Sequence, residues 1–202
     1  VGALMTLDTG GDVNFKPRPV EGAPVEAKNA VPHSLLLDGQ QRMTSLYQVT
    51  LRGKVVETVT PKNKKVKRWF YIDIRKALDA TVDREEAIIG VPDDRVIRTD
   101  FGREVMLDLS TPEREYENMM YPVTHVFDWD EWQDGFDSHW SGDSNDAVRK
   151  KFREFKKTVL EHFKGYRVPV ISLDRSTSKE AVCVVFEKVN TGGKPLDAFE
   201  LV

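Results

Sequence analysis

Leu35-Leu36-Leu37-Asp38-Gly39-Gln40-Gln41-Arg42-Met43-Thr44-Ser45-Leu46 sets an apolar run against a glycine and then a helix-spaced segment. The spacing predicts a buried strand over Leu35–Asp38 and a helix over Gln40–Arg52. Met43, Leu46, Tyr47 and Leu51 recur on one face of that helix, and Gly53 stops it. A carboxylate, a glycine, two amides and a guanidinium are thereby delivered to the first helical turn. Backbone N–H groups at a helix N-terminus lack intrahelical partners and favour anions. Arg42 adds a fork that matches phosphate, and Asp38 could hold a metal or a water. A second reading stays open: Asp38 and Gln41 also spell a capping box, which needs no ligand.

Outward from this junction, strands and helices are intermixed. Ala3–Leu7 and Val13–Lys16 read as two short strands around the turn Gly10-Gly11-Asp12, followed by a proline-rich loop over 17–32. Val55–Val59 and Trp69–Ile74 flank the basic loop Lys62-Asn63-Lys64-Lys65. Ala77–Ala87 and Thr111–Met120 read as helices, and Arg95–Arg98 with Val105–Leu109 as a hairpin about Asp100-Phe101-Gly102. Helices follow over Trp129–Phe136 and Ser144–Lys164, the latter with Val148, Phe152, Phe155, Val159 and Phe163 on its apolar face. Val168–Leu173 is a strand, and Lys179–Val189 a helix or a buried apolar segment. The class is α+β.

Composition narrows the function. The 202 residues fit one domain over 1–202, with 40% apolar and 31% charged residues, as in a soluble globular chain. A net charge of -3 leaves no global basic footprint, so any DNA contact is local. Lys62, Lys64, Lys65, Lys67 and Arg68 are the candidate, against the alternative of a solvated hairpin that lysines protect from aggregation. The single cysteine, Cys183, excludes a disulfide framework and suits a cytoplasmic protein. No stretch is long and apolar enough to span a membrane.

Several motifs exclude themselves. Asn190-Thr191-Gly192-Gly193-Lys194-Pro195 superficially looks like a phosphate loop. It has Lys188 where a Walker motif needs glycine and Pro195 where it needs Ser or Thr. It reads either as a helix C-cap or as an amide and a lysine facing the Asp38 junction. Asp128 to Asp137 lacks the glycine of a calcium loop, and the four histidines share no ligand spacing. Asp197 with Glu200, stapled by Leu196 and Leu201, predicts a helix that continues beyond Val202.

Asp38-Gly39-Gln40-Gln41-Arg42-Met43-Thr44 after a strand, with Phe186-x-x-x-Asn190-Thr191-Gly192-Gly193-x-Pro195-Leu196 and Glu200-Leu201 far downstream, resembles the N-terminal domain of GmrSD-type modification-dependent restriction enzymes. The resemblance implies a ParB/sulfiredoxin-like mixed-sheet core, with a hairpin and helical insert over 76–165. It implies an NTPase or endonuclease component that senses foreign or modified DNA, uses a divalent metal such as Mg2+, and is often joined to a C-terminal HNH-type nuclease domain. Gly39 and Arg42 match the superfamily's phosphate-holding Gly-x-x-Arg. Asp38 would support metal or water activation, Gln40 or Gln41 would position phosphate or water, and Thr44 would line the nucleotide site. Asn190, Gly192 and Gly193 would close it. Gln40 and Gln41 stand where the sulfiredoxin branch has its cysteine, which removes redox chemistry. The family's Gln-Arg and aromatic motif, expected upstream of the first strand, has no counterpart here. Rival readings are a non-catalytic DNA-binding module and a direct ParB-like nuclease using the same site.

Overall fold

A computed structural model describes residues 2–11, 13 and 15–189. The chain opens with β1 (Leu4–Asp8), β2 (Ser34–Asp38), α1 (Gln40–Thr50), β3 (Val56–Val59), β4 (Lys65–Asp73) and α2 (Ile74–Leu78). It continues through β5 (Ile88–Val91), β6 (Val96–Thr99), β7 (Glu104–Asp108), α3 (Pro112–Asn118), β8 (Met120–Pro122) and α4 (Asp130–His139). Last come α5 (Asp146–Phe155), a π-helical turn (Lys156–Leu160), α6 (Glu161–Gly165), β9 (Val170–Leu173) and α7 (Lys179–Val189). The fold is α+β, as its intermixed periodicities predict. It divides into two compact units, one formed by Val1–Ser45 with Arg167–Val202 and the other by Leu46–Tyr166, so the boundary falls inside α1.

The first unit is built on a mixed three-stranded sheet of order β2-β1-β9. β1 is central, antiparallel to β2 and parallel to β9, with Leu7 opposite Leu35 on one side and Leu173 on the other. Leu7 is buried with Val13 and Val182, and Phe15, Leu37 and Leu173 pack against them. The strand expected over Val13–Lys16 is not seen at its described residues Val13, Phe15 and Lys16. Val13 and Phe15 enter the core without strand geometry, while the longer apolar runs of β2 and β9 take both edges of β1. β2, at the sheet edge, is half-buried rather than enclosed. Lys179–Val189 is a helix. Ser178 starts it, its Oγ accepting from Ala181 N at 3.2 Å and its carbonyl from Val182 N at 3.0 Å. Val182 and Phe186 are its buried residues.

The second unit is organised by β4, whose nine residues pair in succession with several partners. Its first half pairs with β3, and Trp69–Ile72 pair with β5. Tyr71–Asp73 pair with β8 along the opposite edge. β6 and β7 form a separate two-stranded hairpin whose tip, Asp100-Phe101-Gly102, is the expected turn. An aromatic core of Tyr116, Tyr121, Trp132, Phe136, Phe152 and Phe155 is filled from α3, β8, α4 and α5. Trp132 stacks on Phe136 at 5.2 Å, and Tyr121 meets the edge of Trp132 at 4.8 Å.

Three elements of this unit differ from the sequence pattern, each for a local reason. α2 lies within 74–78, not 77–87. Asp73 Oδ1 caps it by accepting from Arg75 N and Lys76 N. Asp79 then holds Thr81 through its N and Oγ1, a turn that competes with helix. Residues Ile88–Val91, which the sequence pattern assigns to no element, are β5. α3 ends at Asn118 because Met119 adopts left-handed geometry at φ 57°, and β8 begins at once. In the long helix, Glu161 N–H reaches back five residues to the Lys156 carbonyl. That extra residue makes Leu160 the next buried position after Phe155, and Phe163 turns outward to 40% exposure.

Candidate functional site

The junction between β2 and α1 is compact and local. A bulge in the β1–β2 ladder sits just before it: Met5 opposes Asp38 while Thr6 opposes Leu36. Bulges re-aim side chains, and this one delivers Asp38 to the corner. Gly39 is buried and carries φ +92°. A Cβ there would meet Leu4 Cδ2 at 2.3 Å, so only glycine lets the chain turn here. Its carbonyl accepts the first α1 bond, from Met43 N at 2.9 Å, which makes Gly39 the N-cap. The capping-box alternative, with Asp38 as cap, is thereby corrected.

Arg42 Nη2 donates to Asp38 Oδ2 at 2.8 Å and to the Ala3 carbonyl at 3.0 Å. The pair is open to solvent, with side chains 37% and 23% exposed for Arg42 and Asp38. The anion that offsets Arg42 at the positive end of the α1 dipole is therefore the chain's own carboxylate. Gln40 Nε2 donates to the Leu36 carbonyl at 2.9 Å, tying the first turn back to β2. Gln41 is exposed and Thr44 half-buried one turn on. Gly2, not singled out from the sequence, lies against the guanidinium: a Cβ on it would stand 2.6 Å from Arg42 Nη1. Asn190, Gly192 and Gly193 lie outside the described residues. Among the described residues no group of three His, Cys, Asp or Glu side chains converges for a metal. Asp38 is the carboxylate of this junction, and Mg2+ arriving with phosphates needs one or two carboxylates plus waters. Among the described residues the junction offers one carboxylate, fewer ligands than a resident cage needs.

The basic cluster is less concentrated than its spelling. Lys62 and Lys64 sit in the loop between β3 and β4, and Lys65 and Lys67 on exposed β4 positions. Arg68, one residue on, belongs to the opposite face of the strand. Lys67 Nζ lies 4.0 Å from Glu57 Oε1 across the ladder.

Sequence reading missed a buried network in the second unit. Glu115, on α3, accepts from Tyr71 Oη at 2.8 Å and from Trp132 Nε1 at 3.0 Å. Arg95 Nη1 lies 3.5 Å from the same carboxylate and rests over the Trp69 ring at 4.6 Å. Burial raises the Glu115 carboxyl above its ordinary range, opposed by Trp132, Tyr71 and Arg95. Burial, then the Glu115 charge, pushes the Tyr71 phenol up as well. Only the odd placement of Glu115 beside Tyr116 in a helix of polar spelling hinted at it.

The profile of the GmrSD restriction endonuclease N-terminal domain matches residues 1–202, spanning both the junction and the second unit. The chain belongs to this family. Membership places the GmrSD-type domain in a restriction and defence setting. An uncharacterized protein of Methanocaldococcus jannaschii is 24% identical over 174 residues, covering 85% of this chain and 27% of that relative. The chain thus spans about a quarter of that protein's length. No solved structure matches. Among the described residues, no helix of the GmrSD domain is long and apolar enough to cross a membrane.

Proposed function

We propose that this domain binds a nucleoside triphosphate at the Asp38–Arg42 junction and couples its hydrolysis to sensing foreign or modified DNA. The observation that carries the reading is the solvent-open Asp38–Arg42 pair at 2.8 Å, set at the N-terminus of α1 by Gly39. Exposed pairs of this kind contribute only about 0–1 kcal/mol, so a ligand can open them cheaply. A phosphate oxygen would replace Asp38 on the Arg42 fork while the Gln40 and Gln41 N–H groups face the same anion. Released from Arg42, the Asp38 carboxylate would orient water or share Mg2+. Mg2+ bound with the nucleotide would neutralise phosphate charge. Gln40 and Gln41 amides would position the phosphate or the attacking water, and Thr44 would line the nucleotide site. Hydrolysis here would work by positioning and charge neutralisation, without a covalent intermediate.

The ParB/sulfiredoxin-like relationship, a nuclease domain elsewhere in the full-length protein, and closure by Asn190, Gly192 and Gly193 belong to the same proposal. One observation favours a non-catalytic DNA module instead: the Arg42 guanidinium already has Asp38 and the Ala3 carbonyl as acceptors. Nucleotide hydrolysis by the full-length protein with Mg2+ tests the two. Abolition by Asp38→Ala and by Arg42→Ala is expected. Absence of any nucleotide binding by the full-length protein sinks the reading. Plasmid nicking without nucleotide would point to a direct nuclease.

A further inference from the structure

We propose that Phe127, Trp129, Lys156, Phe163 and Lys164 form a contact site for single-stranded nucleic acid, with phosphate at the two ammoniums and bases stacked on the two exposed phenyl rings. The site lies wholly in the second unit and uses none of the residues assigned above. It depends on the DNA half of the proposed function and on none of the nucleotide half.

Four observations converge. The π-helical turn moves Phe163 out of the core line, and its ring meets Phe127 at 5.5 Å with 40% and 38% exposure respectively. Two aromatic rings are left half in water where an α-helical register would have buried one. The half-buried Trp129 ring, two residues from Phe127 in sequence, carries two cations, Lys164 Nζ at 4.7 Å and Lys156 Nζ at 5.1 Å from its centroid. Neither ammonium has a carboxylate within 4.0 Å among the described residues, in contrast to Lys150 on the same long helix, paired with Asp146 at 2.9 Å. Their protein partners are neutral oxygens, Gln133 Oε1 at 2.8 Å for Lys156 and the Phe127 carbonyl at 3.2 Å for Lys164.

Two like charges held at one ring, with no carboxylate within 4.0 Å of either among the described residues, repel each other and attract an anion between them. Exposed aromatics beside lysines are the combination that takes a single strand, since every base offers a π-face and every nucleotide a phosphate. A lipid surface fits less well. Asp128, Asp130, Glu131 and Glu161, neighbours of these residues in sequence, are exposed and would be unfavourable against anionic headgroups.

The test is binding of a fluorescent twenty-nucleotide thymidine oligomer to the whole chain, titrated over salt. The double reversal Lys156→Glu with Lys164→Glu is expected to weaken binding about tenfold or more. It should also reduce the salt slope by roughly 1.4, at about 0.7 for each phosphate that is no longer neutralised. Phe127→Ala with Phe163→Ala should weaken binding at least about fivefold with the slope unchanged, as stacking predicts. Circular dichroism separates these results from unfolding. The proposal is overturned if wild type does not bind the oligomer, or if the charge reversal leaves Kd within about twofold. It is equally overturned if these variants lose binding only to vesicles of phosphatidylserine and phosphatidylcholine. Asp38→Ala serves as the control, because it is expected to stop hydrolysis and leave oligomer binding intact.

Discussion

Two carboxylate–arginine pairs in this chain look alike on paper and differ in kind. Asp38 and Arg42 are four residues apart, 2.8 Å from each other, and open to water. Glu115 and Arg95 are 3.5 Å apart, with the Glu115 side chain 5% exposed and two further donors, Tyr71 and Trp132, fixed on its oxygens. Water competes for the first pair at every moment, so its partners can be exchanged. The second has left water, and each donor there replaces solvation that the carboxylate cannot recover. The difference teaches that a short distance does not mark a strong or a structural pair. What surrounds the carboxylate decides whether it holds the fold or waits for a ligand.

The largest effect should come from breaking the buried pair. Glu115→Ala leaves the Tyr71 hydroxyl, the Trp132 N–H and the Arg95 charge without their acceptor in a closed core. Removing one partner of a buried pair costs about 3–5 kcal/mol. Urea unfolding of the chain should show a loss of that order. A loss under about 1 kcal/mol would mean that water replaces the carboxylate and that the contrast with Asp38 is false.

Gly39→Ala comes next, with an expected loss of about 2 kcal/mol by the same measurement. The new side chain must sit at φ +92° and displace Leu4, whose Cδ2 lies 2.3 Å from the new Cβ. Left-handed geometry alone costs a non-glycine residue roughly 1–2 kcal/mol. An unchanged midpoint would show that the turn relaxes, and that the glycine is not required by the junction.

The same contrast explains what could be read in advance. The strand, glycine and helix start of the Asp38–Arg42 junction are legible because they are local, within residues 35–42, whereas Gly2, the Ala3 carbonyl and Leu4 reach it from β1 and the residues before it. The Glu115 network was not, since Tyr71, Arg95 and Trp132 are brought to it from β4, the turn before β6 and α4. Helix periodicity found the long helix through α5 and α6 but placed Phe163 inward, because a single i+5 bond shifts every later residue. β5 was hidden in a stretch whose neighbours looked helical. Local spacing offers β1 only the nearby apolar run around Val13, whereas β9, its parallel partner, lies more than 160 residues away. Long-range pairing and register shifts leave little trace in local spacing.

A smaller effect of the buried carboxyl appears with pH. Burial holds the Glu115 carboxyl above its ordinary value of 4.5. Between that value and its folded one, the native chain keeps a proton that the unfolded chain has released. Stability from this group is therefore highest below the window and falls as pH rises through it. Asp94 and Asp108 act oppositely, held low by Arg98 and by Ser110, so their stabilisation is lost as pH falls further. Subtracting the profile of Glu115→Gln from that of wild type should leave a decline with rising pH. A flat difference would show that the three donors fully offset burial.

The smallest stability effect, and the sharpest contrast, belongs to Asp38→Asn. It removes one charge from an exposed i,i+4 pair, so unfolding should move by about 0.5 kcal/mol or less. Under the proposed function, nucleotide hydrolysis by the full-length protein should nevertheless fall on the order of a hundredfold, as for loss of a group that positions water. Glu115→Gln should do the reverse, shifting stability while leaving hydrolysis of the folded fraction alone. If Asp38→Asn instead destabilises by about 2 kcal/mol or more, well beyond what an exposed pair supplies, the junction is a structural lock. Arg42 would then be held by Asp38 for the sake of the fold, and exchange of that carboxylate for phosphate would carry too high a cost to serve a binding site.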